Sequence, residues 1–548
     1  MEMQREQRSQ RQRQAVVLIH GIGDQRPMDT LRAFMAGIGV PEYYSKPHRY
    51  SSNYELRRFS SHGSHPRPET DFFEFYWAHH FPAGRLFATL RWLFTDLLFR
   101  RPFWGHQPPL RRPIGIFQAA VTALVLIFLT AVGGWLGFIG LPAGSAQLLS
   151  RILIIAAVVA LVVVLLAGGF LTRSLADAKF YLSGAPGSLK ARNEIRAEGL
   201  SLLHALHDAG TYERIVVVGH SLGSVIGLDL IRLAWDELRH PDPALAEAPD
   251  DYPTTLAANF DNLVELLPPD PDPEDLENWQ QAQHALWVES RHRGMRWLIT
   301  DFITLGSPLT YADFLLSRSN ARFQERKTQR EYPECPPIDD RGGVFYSRQY
   351  TREDGWHTLG GRSPRNALVA HHGAPFAVTR WSNAYFPRWL FFGDLVGGPL
   401  ASKFGCGIRD VAVRAASLRR WSRRDIFPWV HSRYWRLDSE ASVVQDLVEE
   451  ELRLKKQERE LTKQSEGPAE QKLQAVRREL ELVREKILDN RKAIQHERGK
   501  VDEKSGTLVA YRALAEFLRL NNQKAAKHYP PPSGPRLRRP VPFTAPPE

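Results

Sequence analysis

The sequence predicts an α/β fold: a mainly parallel sheet with helices on both faces, interrupted by a two-helix transmembrane hairpin and followed by a C-terminal helical hairpin or coiled-coil arm. Three observations predict it. Short apolar or β-branched runs alternate with helical patterns, as strands covered on both faces require. Two long charge-free runs fall between the early strands and the later ones. Beyond residue 443 the chain becomes dense in Glu, Lys, Arg and Leu.

The elements follow in chain order. Residues 1–14 are polar and charged, with no apolar signal-peptide core, and are expected to be disordered. Ala15–His20 (AVVLIH) reads as a buried strand entering a His-Gly-Ile-Gly turn, and Phe72–Ala78 (FFEFYWA) as a second strand. Residues 81–104 place bulky apolar residues among Arg85, Arg91, Arg100 and Arg101, the pattern of an interfacial helix or of one packed on the globular domain. Residues 114–139 and 152–171 carry no charge. The first run, as a helix rising ~1.5 Å per residue, would span ~39 Å and cross a ~30 Å hydrocarbon layer with tilt. Arginines flank the pair outside the hairpin loop, which places both long flanks in the cytoplasm.

The main part of the domain is expected over residues 174–445. Leu189–Ala209 has a helical pattern, residues 215–218 a strand, residues 224–238 a helix, and residues 298–305 and 376–383 further strands. Two insertions interrupt them, 240–296 and 309–375; aromatic content makes the second, or the 81–104 helix, the expected lid. Residues 446–520 read as a helical hairpin or coiled-coil arm with a turn at Gly467-Pro468, and residues 521–548 as a Pro-rich, basic, disordered tail.

Composition narrows the function. The 548 residues, 43% hydrophobic and 24% charged, can build a sizeable core. A net charge of +11 is too diffuse to specify nucleic acid, and no basic–aromatic module accompanies it. Two cysteines make no disulfide scaffold, and there is no Cys/His spacing for a structural zinc.

The strongest chemical signal is Gly219-His220-Ser221-Leu222-Gly223, a G-x-S-x-G pentapeptide between an expected strand and an expected helix. The sharp turn would hold Ser221 in a strained backbone and push its hydroxyl out at the carboxyl end of the sheet. Side chains at Gly219 or Gly223 would collide with the neighbouring strand and helix. The Leu222 N–H, at a helix N-terminus, would face a developing oxyanion. His20-Gly21-Ile22-Gly23 can aim a second N–H, from Ile22, at the same point. His20 itself is read as a turn-stabilising residue. The serine needs a base and the base an orienting acid. Candidate histidines after Ser221 include His357, His371, His372 and His431; His371 and His372 precede a strand and come too early, whereas His431 lies late in the globular part. Asp394, in a Gly-rich loop, is the favoured acid, with Asp313, Asp354 and Glu353 as alternatives.

The segments VVLIHGIGDQRP, FEFYWA, RIVVVGHSLGSVIGLDLI, FITLGSPL, RWSNAYFPRW, GDLVGG and HSRYW together resemble serine hydrolases of the α/β-hydrolase superfamily. The lipase and esterase branch is most similar, including membrane-tied bacterial members; GPI inositol-deacylases are similar in joining such an elbow to membrane helices. The resemblance covers residues 14–445 without the hairpin. It implies an α/β-hydrolase fold, Ser221 as nucleophile, His431 as base, Asp394 as orienting acid, and an oxyanion hole from Ile22 and Leu222. In many relatives the acid follows strand seven closely; here residues 385–393 intervene. The expectation is an ester hydrolase, lipase- or esterase-like, that needs no metal or organic cofactor. It would sit in a bacterial inner membrane with its catalytic domain cytoplasmic. Its partners would be the bilayer, an ester or lipid substrate, and a protein partner or second copy met through the arm. The alternative is a catalytically silent platform of the same fold that recruits a partner through that arm.

Overall fold

The computed structural model describes residues 13–21, 26–80, 181–242, 255–350, 365–414, 429–462 and 468–518, apart from short breaks at 39, 41–42, 52, 54, 62–68, 183–185, 266, 318, 340–342, 389–392, 436–438 and 506–507. Its strands are β1 (Arg13–Ile19), β2 (Tyr44–Pro47), β3 (Arg57–Ser61), β4 (Glu69–Phe75), β5 (Arg214–His220), β6 (Ile299–Leu305), β7 (Phe345–Tyr350), β8 (Arg365–Ala370), β9 (Arg380–Tyr385), β10 (Arg409–Arg414) and β11 (Leu508–Val509). Nine form one sheet in the order β11-β10-β9-β6-β5-β1-β4-β3-β2. All its pairings are parallel except β2–β3 and β3–β4 at one edge. The remaining two, β7 and β8, pair antiparallel as a separate hairpin.

Period-two alternation explains why both faces are covered. Ala15, Val17 and Ile19 of β1 point into one core, and Val16 and Leu18 into the other. The first core is closed by α2 (Pro186–Asp208) and α3 (Leu222–Leu238) with Trp235, Trp297 and Trp381. The second is closed by α1 (Asp29–Gly37) through Leu31, Phe34 and Met35. Another helix, α4 (Pro273–His292), begins at a capping box in which Asp272 accepts from the Glu274 and Asp275 N–H groups.

The expected transmembrane hairpin is corrected. Among the described residues no helix is long and apolar enough to cross a membrane. Residues 114–139 and 152–171 lie outside them, as do 81–104 and the 521–548 tail. The long described helices are of a different kind. The α2 helix buries Ile195, Leu202 and Leu206 while carrying Arg192, Glu194 and Glu198. The α3 helix buries most of its residues in the core, but it carries Asp229, Arg232, Asp236 and Glu237, and its 17 residues fall short of the ~20 a bilayer needs. The fold is therefore a mostly parallel α/β sheet without a membrane-spanning element among its described parts.

Three further differences have physical causes. Residues Arg13 and Gln14, expected in a disordered charged N-terminus, instead begin β1, because Gln14 donates to Thr70 Oγ1 (2.9 Å) and accepts from Arg214 (2.6 Å). The strand expected over 376–383 starts later, since Pro375 opens a 3-10 turn at residues 375–377. The arm is an insertion: α5 (Ser439–Thr462) and α6 (Pro468–Ser505) pack through Leu454, Val476, Leu480, Val483 and Ile487, and the chain then returns to the sheet. There β11 pairs with β10, and α7 (Ala510–Phe517) buries Ala513, Leu514 and Phe517 in the second core.

Candidate active site

Chain direction places the site. From β1 the sheet grows through β4, β3 and β2 on one side and through β5, β6, β9 and β10 on the other. The switch between these directions lies between β1 and β5. A crevice opens outside the carboxyl ends of the strands at such a point. The turns after β1 and β5 carry His20-Gly21 and His220-Ser221.

Ser221 has φ 52° and ψ −126°, a left-handed conformation that a serine adopts only when its surroundings impose it. Its N–H bonds the Leu305 carbonyl at the end of β6 (3.0 Å), and its carbonyl accepts from Ser224 Oγ (2.6 Å). Ser224 Oγ also meets Ser307 Oγ at 2.6 Å, so the Gly306-Ser307-Pro308 turn braces the elbow. The two flanking glycines are needed for close approach. A Cβ on Gly219 would lie 2.5 Å from Ser224 Cα, and one on Gly223 would lie 2.3 Å from the Ile19 carbonyl. Leu222 opens α3, so its N–H is among those a helix leaves without an intrahelical partner.

The His-Gly turn touches the elbow. A Cβ on Gly21 would sit 2.9 Å from Ser221 Cβ and 2.7 Å from His220 Nδ1. His20 is fully buried and stacks on Trp77 (centroids 4.9 Å apart). Its Nδ1–H donates to the Gly21 carbonyl (2.8 Å) and its Nε2 accepts from the Trp77 N–H (3.3 Å), which fixes one neutral tautomer. Burial lowers its pKa to about 4. It shapes the turn, as its sequence position implies. Ile22 and Gly23 lie outside the described residues.

The base and acid candidates meet across 37 residues of chain. His431 Nδ1 is 2.8 Å from Asp394 Oδ2. Asp394 is fully buried and also accepts from the Tyr434 hydroxyl (2.8 Å) and the Val396 N–H (2.9 Å). Burial alone would push this carboxyl up. The His431 charge and the three donors outweigh it, and the pKa lies below the usual carboxylate range. Gly306, at φ +56°, and Gly397 leave room for the carboxylate; a Cβ on either would approach Oδ2 to 2.8 Å.

His220 connects this pair to the elbow. Its Nε2–H donates to the His431 carbonyl (2.8 Å), and the two rings lie 4.9 Å apart. Burial, then the nearby His431 charge, lower its pKa to about 3, so it is a neutral donor. Because His220 adjoins Ser221 in sequence, this bond ties residue 431 to the elbow segment.

The alternatives are not gathered here. Asp313 pairs with Lys403 at 3.0 Å. The His371 carbonyl accepts from Trp235 Nε1, near the far end of α3. Glu353, Asp354 and His357 lie outside the described residues. The lid expectation also meets this geometry. The β7–β8 hairpin ends beside Trp235 and Arg239, at the end of α3 away from Ser221.

Sequence reasoning missed the supports of the acid. Asn383, on β9, donates to the Gly398 carbonyl (3.0 Å) and to Asp410 Oδ1 (2.6 Å), and Asp410 accepts from the Leu400 and Ala401 N–H groups. These bonds pin the 393–401 loop between two strands. Tyr434, visible in HSRYW, had no assigned duty; its three-residue offset from His431 is the only signal that pointed to it. Comparisons with family models, with curated proteins and with solved structures return no match.

Proposed function

We propose that the chain is a serine hydrolase that cleaves carboxylic esters. One observation carries the reading: Ser221 sits strained between β5 and α3, with the Asp394-bonded His431 tied to the adjacent His220. Ser221 Oγ attacks the ester carbonyl carbon while His431 Nε2 takes its proton. The tetrahedral oxyanion faces the Leu222 N–H and the start of α3; one such donor is worth ~3 kcal/mol of barrier. Collapse breaks the ester C–O bond, and His431 protonates the leaving alcohol. Water then attacks the acyl-enzyme, His431 accepts its proton and returns it to Ser221, and the carboxylic acid leaves. Asp394, held ionised by three donors, fixes the tautomer in which His431 Nδ1 carries the proton and stabilises the imidazolium.

The lipase and esterase resemblance puts lipid esters first within this class. A chain-length series of p-nitrophenyl esters in detergent micelles tests it. A burst of p-nitrophenol equal to the enzyme concentration, with preference for long acyl chains, is expected. Absence of turnover on every chain length contradicts the ester reading, and preference for acetate contradicts the lipid one. The second reading, a silent platform, is favoured by the arm, where Leu482 and Leu488 are 56% and 52% exposed. It predicts binding of a partner that survives Ser221→Ala and no burst.

A further inference from the structure

We propose that His79, His80 and Glu198 bind one divalent transition-metal ion of the zinc class in the wall of a cavity of about 640 Å³ beside β4. The site is independent of the Ser221 chemistry. It joins residues more than a hundred positions apart, so no sequence spacing announces it.

The ligands come from two rigid elements. The chain leaves β4 through Tyr76 and Trp77 into a 3-10 turn, Ala78–His80, which sets two imidazoles side by side with centroids 4.0 Å apart. Opposite them, α2 presents Glu194 and Glu198, one helical turn apart. Glu198 Oε2 lies 2.8 Å from His80 Nε2 and 3.6 Å from His79 Nε2. Two ligands at ~2.05 Å from a tetrahedral ion stand ~3.3 Å apart, so the observed spacings straddle the required one. The three ligand atoms all fall within 4.8 Å of one another. Two imidazoles and a carboxylate suit zinc, cobalt, nickel or iron rather than magnesium or calcium.

The supporting shell is also present. Glu194 Oε2 is 3.5 Å from His80 Nδ1, where an outer carboxylate would orient a ligating imidazole. Like charges four residues apart weaken a helix unless cations face them. Lys190 answers Glu194 only at 3.9 Å. An ion shared with Glu198 would answer both.

Two buried polar side chains also line the cavity. Among the described residues, Glu74 Oε1 and His48 Nε2 are buried without a hydrogen-bond partner, and both residues line it. Tyr50, Ser51, Asn53 and Leu56 also line it. Buried polar atoms in native structures are rarely left so, and two in one cavity beside a ligand cluster indicate a polar guest. Three protein ligands leave a fourth coordination position to water or to a polar ligand held in the cavity. Tyr76 stacks on His79 (5.7 Å) and contacts His20 (5.2 Å), so the ion would also steady the segment against the His-Gly turn.

The test uses full-length protein stripped with EDTA and titrated with Zn²⁺ by calorimetry, with Co²⁺ absorption as a coordination probe. One ion per chain is expected, with tetrahedral d–d bands for Co²⁺. The His79 side chain is 42% exposed, so His79→Asn should fold and melt like wild type in EDTA while losing about 100-fold in affinity. Glu194→Gln should lose about 10-fold. Zn²⁺ affinity that is equal in wild type, His79→Asn and Glu198→Gln would overturn the site, as would no one-to-one binding by wild type.

Discussion

Two carboxylates lie fully buried at the carboxyl edge of this sheet, and they behave oppositely. Asp394, beyond β9, accepts from His431, Tyr434 and Val396. Its pKa is held below the ordinary range despite burial. Glu74, near the end of β4, accepts from the Met28 N–H and leaves Oε1 unpartnered. Burial pushes it up to about 7. Exposure does not separate them, since both are at 0%. The number of donors does. A buried carboxylate is an anion only where the fold aims enough N–H and O–H groups, or a positive charge, at it. The region around Asp394 is preorganised for charge, and the region around Glu74 is left open to a guest.

Breaking the Asp394 side should have the largest effect. Asp394→Asn keeps shape but removes the charge and permits the wrong His431 tautomer; kcat on an activated ester should fall about 10⁴-fold. Steady-state kinetics on protein of unchanged melting temperature measures it, and a loss under tenfold would remove Asp394 from the proposed role.

The Glu74 side should respond in stability. A carboxyl whose folded pKa is raised favours folding below its unfolded pKa, and that advantage is lost as pH rises from about 4.5 to about 7. In EDTA, Glu74→Gln should abolish that slope and be more stable than wild type by about 3 kcal/mol at pH 8. Urea unfolding at pH 4 and pH 8 reads the difference; equal slopes for both proteins would contradict the contrast.

Tyr434→Phe sharpens the comparison by removing one donor. The depressed Asp394 pKa gives stability that is present above its unfolded pKa and is lost as pH falls through the folded one. Raising the folded value should therefore move the acid-unfolding midpoint to higher pH, followed by circular dichroism. Turnover should fall about tenfold, the ~1.4 kcal/mol of a hydrogen bond to a charged group. An unmoved midpoint would mean that Tyr434 does not hold Asp394.

Much of this architecture was readable in the chain, for reasons that also explain what was not. Strands β1, β5 and β6 are buried on both faces, so their apolar runs stand out. The elbow is local, and its glycines and serine lie within five residues. The edge strands escaped notice. Residues 44–47 (β2) are polar because an edge is covered on fewer sides, and 508–509 (β11), at the other edge, are too short to stand out as an apolar run. The return of 508–518 to the sheet depends on packing against residues a hundred positions or more away, such as Arg214, which bonds the Leu518 carbonyl. The long uncharged runs lie outside the described residues. His431 and Asp394 were reached through chain order and resemblance, whereas Tyr434, Asn383 and the orphaned Glu74 oxygen became visible only with the side chains in place.

The central claim is that Ser221 is a nucleophile activated by His431. A fluorophosphonate probe reacts covalently with such a serine, and mass spectrometry of the labelled peptide locates the adduct. Labelling of wild type at Ser221, abolished in Ser221→Ala and slowed at least 100-fold in His431→Gln, is the predicted result. Folded wild type that takes up no probe, or a Ser221→Ala variant labelled as fast as wild type, would contradict it.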